Sequence, residues 1–212
     1  MSPTIEDGKN SASVGPINRG RLSHNILFLR KFFRHGVKIA SVWPSSRFMA
    51  LATLNKISWS TAKVIVELGA GTGPITAQII ERLSSKTQLF VIEFDADFVK
   101  ILQERFQGHA NVRIIQGDVG TLGAILAGNG IGPYEVDYFV SGLATPTLPE
   151  PVRHGMFAAV KEYLNPQGFF SNITEIPWYY LRRYRQWFGD VSFELVPLNM
   201  PPGGVYHCRS IR

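Results

Sequence analysis

"VIVELGAGTGPITAQII", residues 64–80, passes from five residues dominated by branched aliphatics into three glycines at alternating positions and then into a helical pattern. A short apolar run bounded by glycine reads as a buried strand, and Pro74 suits the first turn of a following helix. Strand, turn and helix in this order open an α/β sheet, where ligands bind beyond the carboxyl ends of the strands. Gly69, Gly71 and Gly73, with Ala70 between the first two, let the backbone approach a ligand and take φ values that other residues resist. The spacing is G-x-G-x-G, whereas a dinucleotide site takes G-x-G-x-x-G, and no Gly-Lys-Ser/Thr follows to grip phosphates. Glu67, just before the turn, would repel a pyrophosphate and neutralise a cation.

Outward from this turn, short apolar runs alternate with helical segments. The pattern predicts strands at 64–68, 88–93, 112–116, 136–140 and 168–173, and helices at about 74–84, 95–107, 119–127 and 150–163. Such alternation gives a mainly parallel sheet covered by helices on both faces. "VSFELVP" and "GVYHCRSI" close the chain as an antiparallel pair at the sheet edge. The expected fold is therefore Rossmann-like α/β with seven strands. It divides into a disordered leader over 1–20, N-terminal helices over 21–58 facing membrane and substrate, and a catalytic domain over 59–212.

Within the N-terminal part, Leu22, Ile26, Leu29, Phe33 and Val37 fall on one stripe of a helix and Lys31, Arg34 and Lys38 on another. A basic amphipathic helix suits the interface of an anionic bilayer, at about 1 kcal/mol per basic residue. The competing reading is that the stripe covers the protein's own core. A second helix is expected from Pro44 through "SSRFMALATL". The formal net charge of +6 favours anionic partners without choosing among them. One cysteine, Cys208, excludes an internal disulfide and a thiolate metal cluster. The five histidines show no paired ligand spacing, and no metal is expected. No run approaches a membrane span, so a cytoplasmic protein bound peripherally to the inner membrane face is expected.

Two later acids narrow the ligand. Glu93, in "LFVIEFD", ends the second strand about 20 residues past the glycines, where a carboxylate can accept from a ribose diol. Asp118, in "VRIIQGDV", ends the third strand, where it could accept from an adenine amino group. Together with the turn they suit adenosine carrying a positive centre and no phosphate. At this point "VELGAGTG", "VIEFD" and "QGDV" resemble motifs I, II and III of the class I S-adenosylmethionine-dependent methyltransferases, over roughly residues 60–200. The resemblance implies S-adenosylmethionine as donor and S-adenosylhomocysteine as product. It also implies that Glu67 and Gly69–Gly73 lie against the methionine portion and ribose, that Glu93 and Phe94 hold the ribose side, that Asp118 and Val119 frame the adenine, and that Ser141 lies beside the donor.

The acceptor has to be argued separately, because this fold does not name it. Adenine-N6 methyltransferases of the ribosomal RNA dimethylase type carry an Asn/Asp-Pro-Pro-aromatic signature after the fourth strand, and they are the alternative enzyme reading. Ser141-Gly142-Leu143-Ala144 stands there instead, without the amide, proline or aromatic that a flipped base requires. "VSGL", "SVWPSSRFMA" (41–50) and "NMPPGGVY" (199–206) are instead similar to the bacterial phospholipid N-methyltransferases. These convert phosphatidylethanolamine to phosphatidylcholine, and their relatives act on ornithine lipids. Ala144 replaces the family's usual proline, and Glu175-Ile176-Pro177 replaces its Tyr-Gly-Pro. The implied partners are a lipid amine and an anionic membrane surface, with no nucleic acid.

A helix over "PWYYLRRYRQWF" (177–188) would place Tyr180, Leu181, Tyr184, Trp187 and Phe188 on one side and Arg182, Arg183 and Arg185 on the other. Half-wet aromatics and arginines suit a headgroup region, they would also suit RNA with bases stacked on the rings, and an ordinary helix packed on the sheet would look the same. Candidates to take the amine proton or orient the amine are Glu175, Tyr180 and His154. Pro44, Ser45, Ser46, Trp178 and Arg182 are candidates to touch the lipid, the two serines through its phosphate or merely as caps.

Overall fold

The structure, a computed structural model, describes residues 45–174, 180–199 and 202–211, apart from the side chains of residues 45, 46 and 211. The leader, the basic helix expected over 22–39, Pro44, Glu175 and Trp178 lie outside the described residues. Helix α1 (Ser45–Thr53) leads into β1 (Val64–Leu68), α2 (Pro74–Ile80), β2 (Gln88–Glu93), α3 (Ala96–Arg105) and β3 (Val112–Gln116). A 3-10 turn (Val119–Thr121), α4 (Leu122–Gly128), β4 (Val136–Ser141), a second 3-10 turn (Thr145–Thr147), α5 (Glu150–Tyr163) and β5 (Leu164–Thr174) follow. Helix α6 (Leu181–Trp187) and the strands β6 (Phe188–Val196) and β7 (Gly203–Ile211) end the order.

The seven strands form one sheet in the order β3-β2-β1-β4-β5-β7-β6. The five strands from β3 to β5 run parallel; β7 is antiparallel to β5, and β6 to β7. The order reverses between β1 and β4, which puts the switch point at the end of β1, where the glycines stand. β1 and β2 are apolar on both faces because both faces are covered. Ile65, Leu89 and Val91 pack with Ile75 and Ile79 from α2, Leu102 from α3 and Phe106, which caps α3. Val66, Leu68, Phe90 and Phe139 face the other layer, with Leu122, Leu126, Met156 and Val160 from α4 and α5. α6 adds Tyr184 to that layer.

The predicted strands stand, and the edge pair forms as expected. Several boundaries differ, among them a helix predicted from 119 that opens as a 3-10 turn and becomes α-helical only at Leu122. Helix α2 ends at Ile80 rather than 84, because the Arg82 guanidinium donates back to the Gln78 carbonyl at 2.7 Å and the chain turns. β5 begins at Leu164, four residues before the predicted strand, with a register shift against Val136 and Tyr138. Phe188 is the first residue of β6 and not the last of a helix.

Candidate active site

Everything at the end of β1 is arranged around a loop without side-chain bulk. Gly69, Gly71 and Gly73 take φ values of 71°, 57° and 82°. At Gly69 an added Cβ would come within 2.2 Å of the Leu143 side chain, so the turn after β4 can lie on the loop only because that residue is glycine. Gly71 is different: nothing lies within 4 Å of an added Cβ, so open space stands over the loop there. The Gly73 amide closes the turn on the Ala70 carbonyl at 2.9 Å.

Glu93, last in β2, is the loop's clasp. Its Oε2 accepts from the Gly71 amide at 2.8 Å, and its Oε1 accepts from Phe94 and Asp95 at 2.8 and 2.9 Å. A carboxylate offers about four acceptor positions, so one remains for a ligand while Gly71 keeps its bond. Phe94 is 50 % exposed beside it, an aromatic face open to solvent. Asp118 caps the following 3-10 turn by accepting from the Gly120 amide at 2.8 Å, and Val119 is buried next to it. The buried Ser141 hydroxyl at the end of β4 accepts from Leu143 at 3.3 Å, and the Gly142 amide donates to the Leu68 carbonyl at 3.0 Å, tying the β4 turn to the glycine turn.

Glu67 has no exposed surface, and neither of its carboxyl oxygens has a hydrogen-bond partner. Burial, with a smaller contribution from the charge of Glu93, pushes its pKa up to about 8; the neighbouring Thr76 hydroxyl and amide favour the carboxylate and offset part of this, although neither reaches full hydrogen-bond geometry. The Thr76 hydroxyl, also buried, is likewise without a partner. An orphaned buried carboxyl is costly, and a cation brought beside it removes that cost. Orphan acid, open glycine loop and Glu93 clasp fit a ligand with a ribose and a positive centre. Fold and loop together define a class I S-adenosylmethionine-dependent methyltransferase.

The comparisons with known proteins agree and are more specific. A family model described as ribosomal RNA adenine dimethylase matches residues 45–123, which is the donor half alone. Ribosomal RNA small subunit methyltransferase A of Pseudomonas fluorescens is 38% identical over 65 residues, 31% of this chain and 23% of that protein. The solved Burkholderia thailandensis 1,6-didemethyltoxoflavin-N1-methyltransferase shares the fold with a TM-score of 0.66 at 15% identity, over 95% of this chain and 93% of that one. Ornithine lipid N-methyltransferase of Singulisphaera acidiphila is 46% identical over 186 residues, 88% of this chain and 96% of that protein. The chain belongs to the family of that ornithine lipid N-methyltransferase.

The remaining candidates scatter. His154 is exposed on α5, with its ring edge-on to Trp187 at 5.6 Å. Tyr180 packs on the core cluster at the start of α6, and Arg182 projects exposed from that helix. Ser45 and Ser46 stand in the first turn of α1. The structure also joins a set that sequence reasoning missed. Ser171 Oγ lies 2.8 Å from His207 Nδ1, and His207 Nε2 lies 3.4 Å from Glu194 Oε2, which accepts from Asn55 at 2.8 Å. Despite its Ser-His-Glu composition, both Ser171 and His207 are buried within the sheet, so this chain ties β5, β7, β6 and the turn after α1 together and presents no nucleophile. Its members are 13 and 36 residues apart, and only strand pairing reveals it.

Proposed function

We propose that this protein methylates the amine of a membrane lipid, with ornithine lipid as the acceptor. The observation that carries the reading is the full-length relationship to ornithine lipid N-methyltransferase, set against a ribosomal RNA match that stops at residue 123, before the β4 turn where an acceptor is received. Phosphatidylethanolamine is the second acceptor, favoured by the likeness of "VSGL" and "NMPPGGVY" to phospholipid N-methyltransferases.

The donor supplies an electrophilic methyl on sulfur. The amine nitrogen forms the new N–C bond with its lone pair, the C–S bond breaks with its electrons going to sulfur, and the nitrogen loses a proton. An alkyl ammonium has a pKa of about 10, so the protein must favour its neutral form as well as align it. Alignment is the larger contribution, since it turns an encounter into an intramolecular step. Gly69–Gly73 and Glu93 hold the donor, Glu67 faces its cationic portion, Phe94 and Asp118 with Val119 take the ribose and adenine sides, and Ser141 with Leu143 bounds the methyl. Glu175 and Tyr180, beyond β5, and His154 on α5 are the groups to orient or deprotonate the amine. Pro44, Ser45, Ser46, Trp178 and Arg182 form the lipid-facing rim. The protein docks peripherally on the inner membrane face through the basic segment at 22–39.

The test is expression in a host that makes unmethylated ornithine lipid and phosphatidylethanolamine, followed by mass spectrometry of extracted lipids. Ornithine lipid heavier by one to three methyl groups is the expected result. Label from the methyl donor found in RNA, with unmodified lipids, would refute the reading.

A further inference from the structure

The turn after β4 faces two ways. Leu143 packs on the glycine loop at Gly69, while Thr145 and Pro146 border a cavity of about 430 Å³ between the N-terminal part of α5 and α6. Arg153 and His154 of α5 and Arg183 of α6 line it, with Glu150 as its one acid. Half-buried Arg153 is anchored by a bond from one guanidinium nitrogen to the Leu148 carbonyl at 3.0 Å, which leaves its other N–H groups to the cavity. Arg183 is exposed, and its side chain makes no hydrogen bond or ion pair among the described residues. No ion pair joins either arginine to Glu150 among the described residues.

The rest of the wall is largely aromatic, with Gln186 as a further polar side chain. Phe157 and Trp187 stack with centroids 4.9 Å apart and planes at 23°. Tyr184 is 2 % exposed, and its hydroxyl has no partner. Burial holds that hydroxyl well above its usual pKa, so it is a neutral donor. Neighbouring Thr145 already donates to Asn172 at 2.6 Å. Guanidinium groups are weakly hydrated planar forks suited to carboxylate and phosphate, and two without counter-ions in one concavity are matched to such a group.

Resting on the lipid-amine reading, we propose that this cavity seats the anionic oxygen group of the lipid head, held by Arg153 and Arg183, while the amine extends toward the glycine loop. In an ornithine head the carboxylate stands three methylenes and the α-carbon away from the terminal amine; in phosphatidylethanolamine a phosphate stands two methylenes away. The turn at 141–146 joins the two places, with Leu143 on the donor loop and Thr145 on the cavity. Acceptor recognition and methyl delivery are thus two ends of one loop.

Full-length protein is assayed in mixed micelles with ornithine lipid, with an analogue in which 1,4-diaminobutane replaces ornithine and so lacks the carboxylate, and with phosphatidylethanolamine. Arg153→Gln and Arg183→Gln are expected to raise KM for ornithine lipid by about tenfold or more, with donor affinity unchanged, since hydrogen bonds to charged groups contribute that much. On the analogue the same variants should differ from wild type by less than about twofold, because the group they hold is gone. Lys100→Gln, an equal charge change on exposed α3, controls for membrane attraction. Arg183→Gln removes a side chain with no hydrogen-bond or ion-pair partner among the described residues, so its melting temperature should not move. Tyr184→Phe should raise KM if its hydroxyl completes the site. A loss confined to phosphatidylethanolamine would assign the cavity to phosphate. Equal losses on ornithine lipid and its analogue, or none, would overturn the assignment alone; wild-type protein that binds donor yet methylates no lipid amine would overturn the lipid reading and this site with it.

Discussion

Glu67 carries the sharpest consequence at the scale of one residue. Its carboxyl is buried without a hydrogen bond, and its pKa rises from 4.5 to about 8, chiefly through desolvation. Since the folded value lies above the unfolded one, the contribution of this group to stability is complete below about pH 4.5 and is lost as pH rises through about 8. Near neutral pH the donor-free protein therefore holds Glu67 mostly as the neutral acid. A sulfonium and an ammonium nearby favour the carboxylate, so donor binding is expected to expel a proton at pH 7. Affinity should climb with pH, by at most about tenfold per unit, and level off above about 8. Calorimetry in buffers of different ionisation enthalpy reads the released proton directly. Glu67→Gln should abolish both the release and the pH dependence; a wild-type protein that releases no proton would remove Glu67 from the donor site. The glycines and Glu93 were legible in the sequence because they are local, each at the end of a strand. The protonation state of Glu67 was not, because it depends on being enclosed by α2 and the neighbouring strands.

At the scale of elements, α5 sits where it does because of one atom that it lacks. Gly155, inside that helix, lies against the 3-10 turn that Asp118 caps, and an added Cβ would come 2.2 Å from the Gly120 carbonyl oxygen. Helix propensity alone favours alanine over glycine by about 1 kcal/mol. Overpacking a close backbone contact costs about 1–3 kcal/mol, and the 2.2 Å approach puts Gly155 at the costly end, so the clash should win. Gly155→Ala is expected to lower unfolding free energy by about 1–2 kcal/mol in urea titration and to weaken donor binding through the displaced Asp118 turn. Unchanged or raised stability would mean that α5 can shift without disturbing the turn. The glycine spacing gave no hint of this contact, which is made across 35 residues of chain. Strand positions were readable because two-sided burial leaves continuous apolar runs, as in Val64–Leu68 and Gln88–Glu93. The start of β5 was hidden by Pro166, which lay outside the predicted strand and is accommodated by the register shift opposite Val136 and Tyr138. Tyr184 illustrates the limit of periodicity: spacing put it on an aromatic face, and only packing showed that its hydroxyl stays unpartnered at the cavity wall.

For the whole molecule, the question is how an α/β layer reaches a lipid. Among the described residues no helix is long and apolar enough to cross a membrane. The chain carries a formal net charge of +6, and Arg30, Lys31, Arg34 and Lys38 are concentrated ahead of α1. Phe48 on α1 is 41 % exposed, which leaves an apolar ring at the end of the described fold that the N-terminal segment enters. At about 1 kcal/mol each, four basic residues supply about 4 kcal/mol toward an anionic surface, a factor of about 10³ in partitioning. Attraction of this kind is screened within a Debye length of about 10 Å at 0.1 M salt. Deleting residues 1–40 is therefore expected to abolish co-sedimentation with vesicles containing anionic lipid while leaving donor affinity within about twofold. In the intact chain, binding should weaken as salt is raised and be far weaker on uncharged vesicles. The same deletion should leave turnover of a short-chain, micellar acceptor largely in place, because the glycine loop, Glu93 and the β4 turn all lie downstream of the cut. If the truncated protein still sediments with anionic vesicles, the docking surface belongs to the folded body, and the exposed arginines of α6 become the first place to seek it.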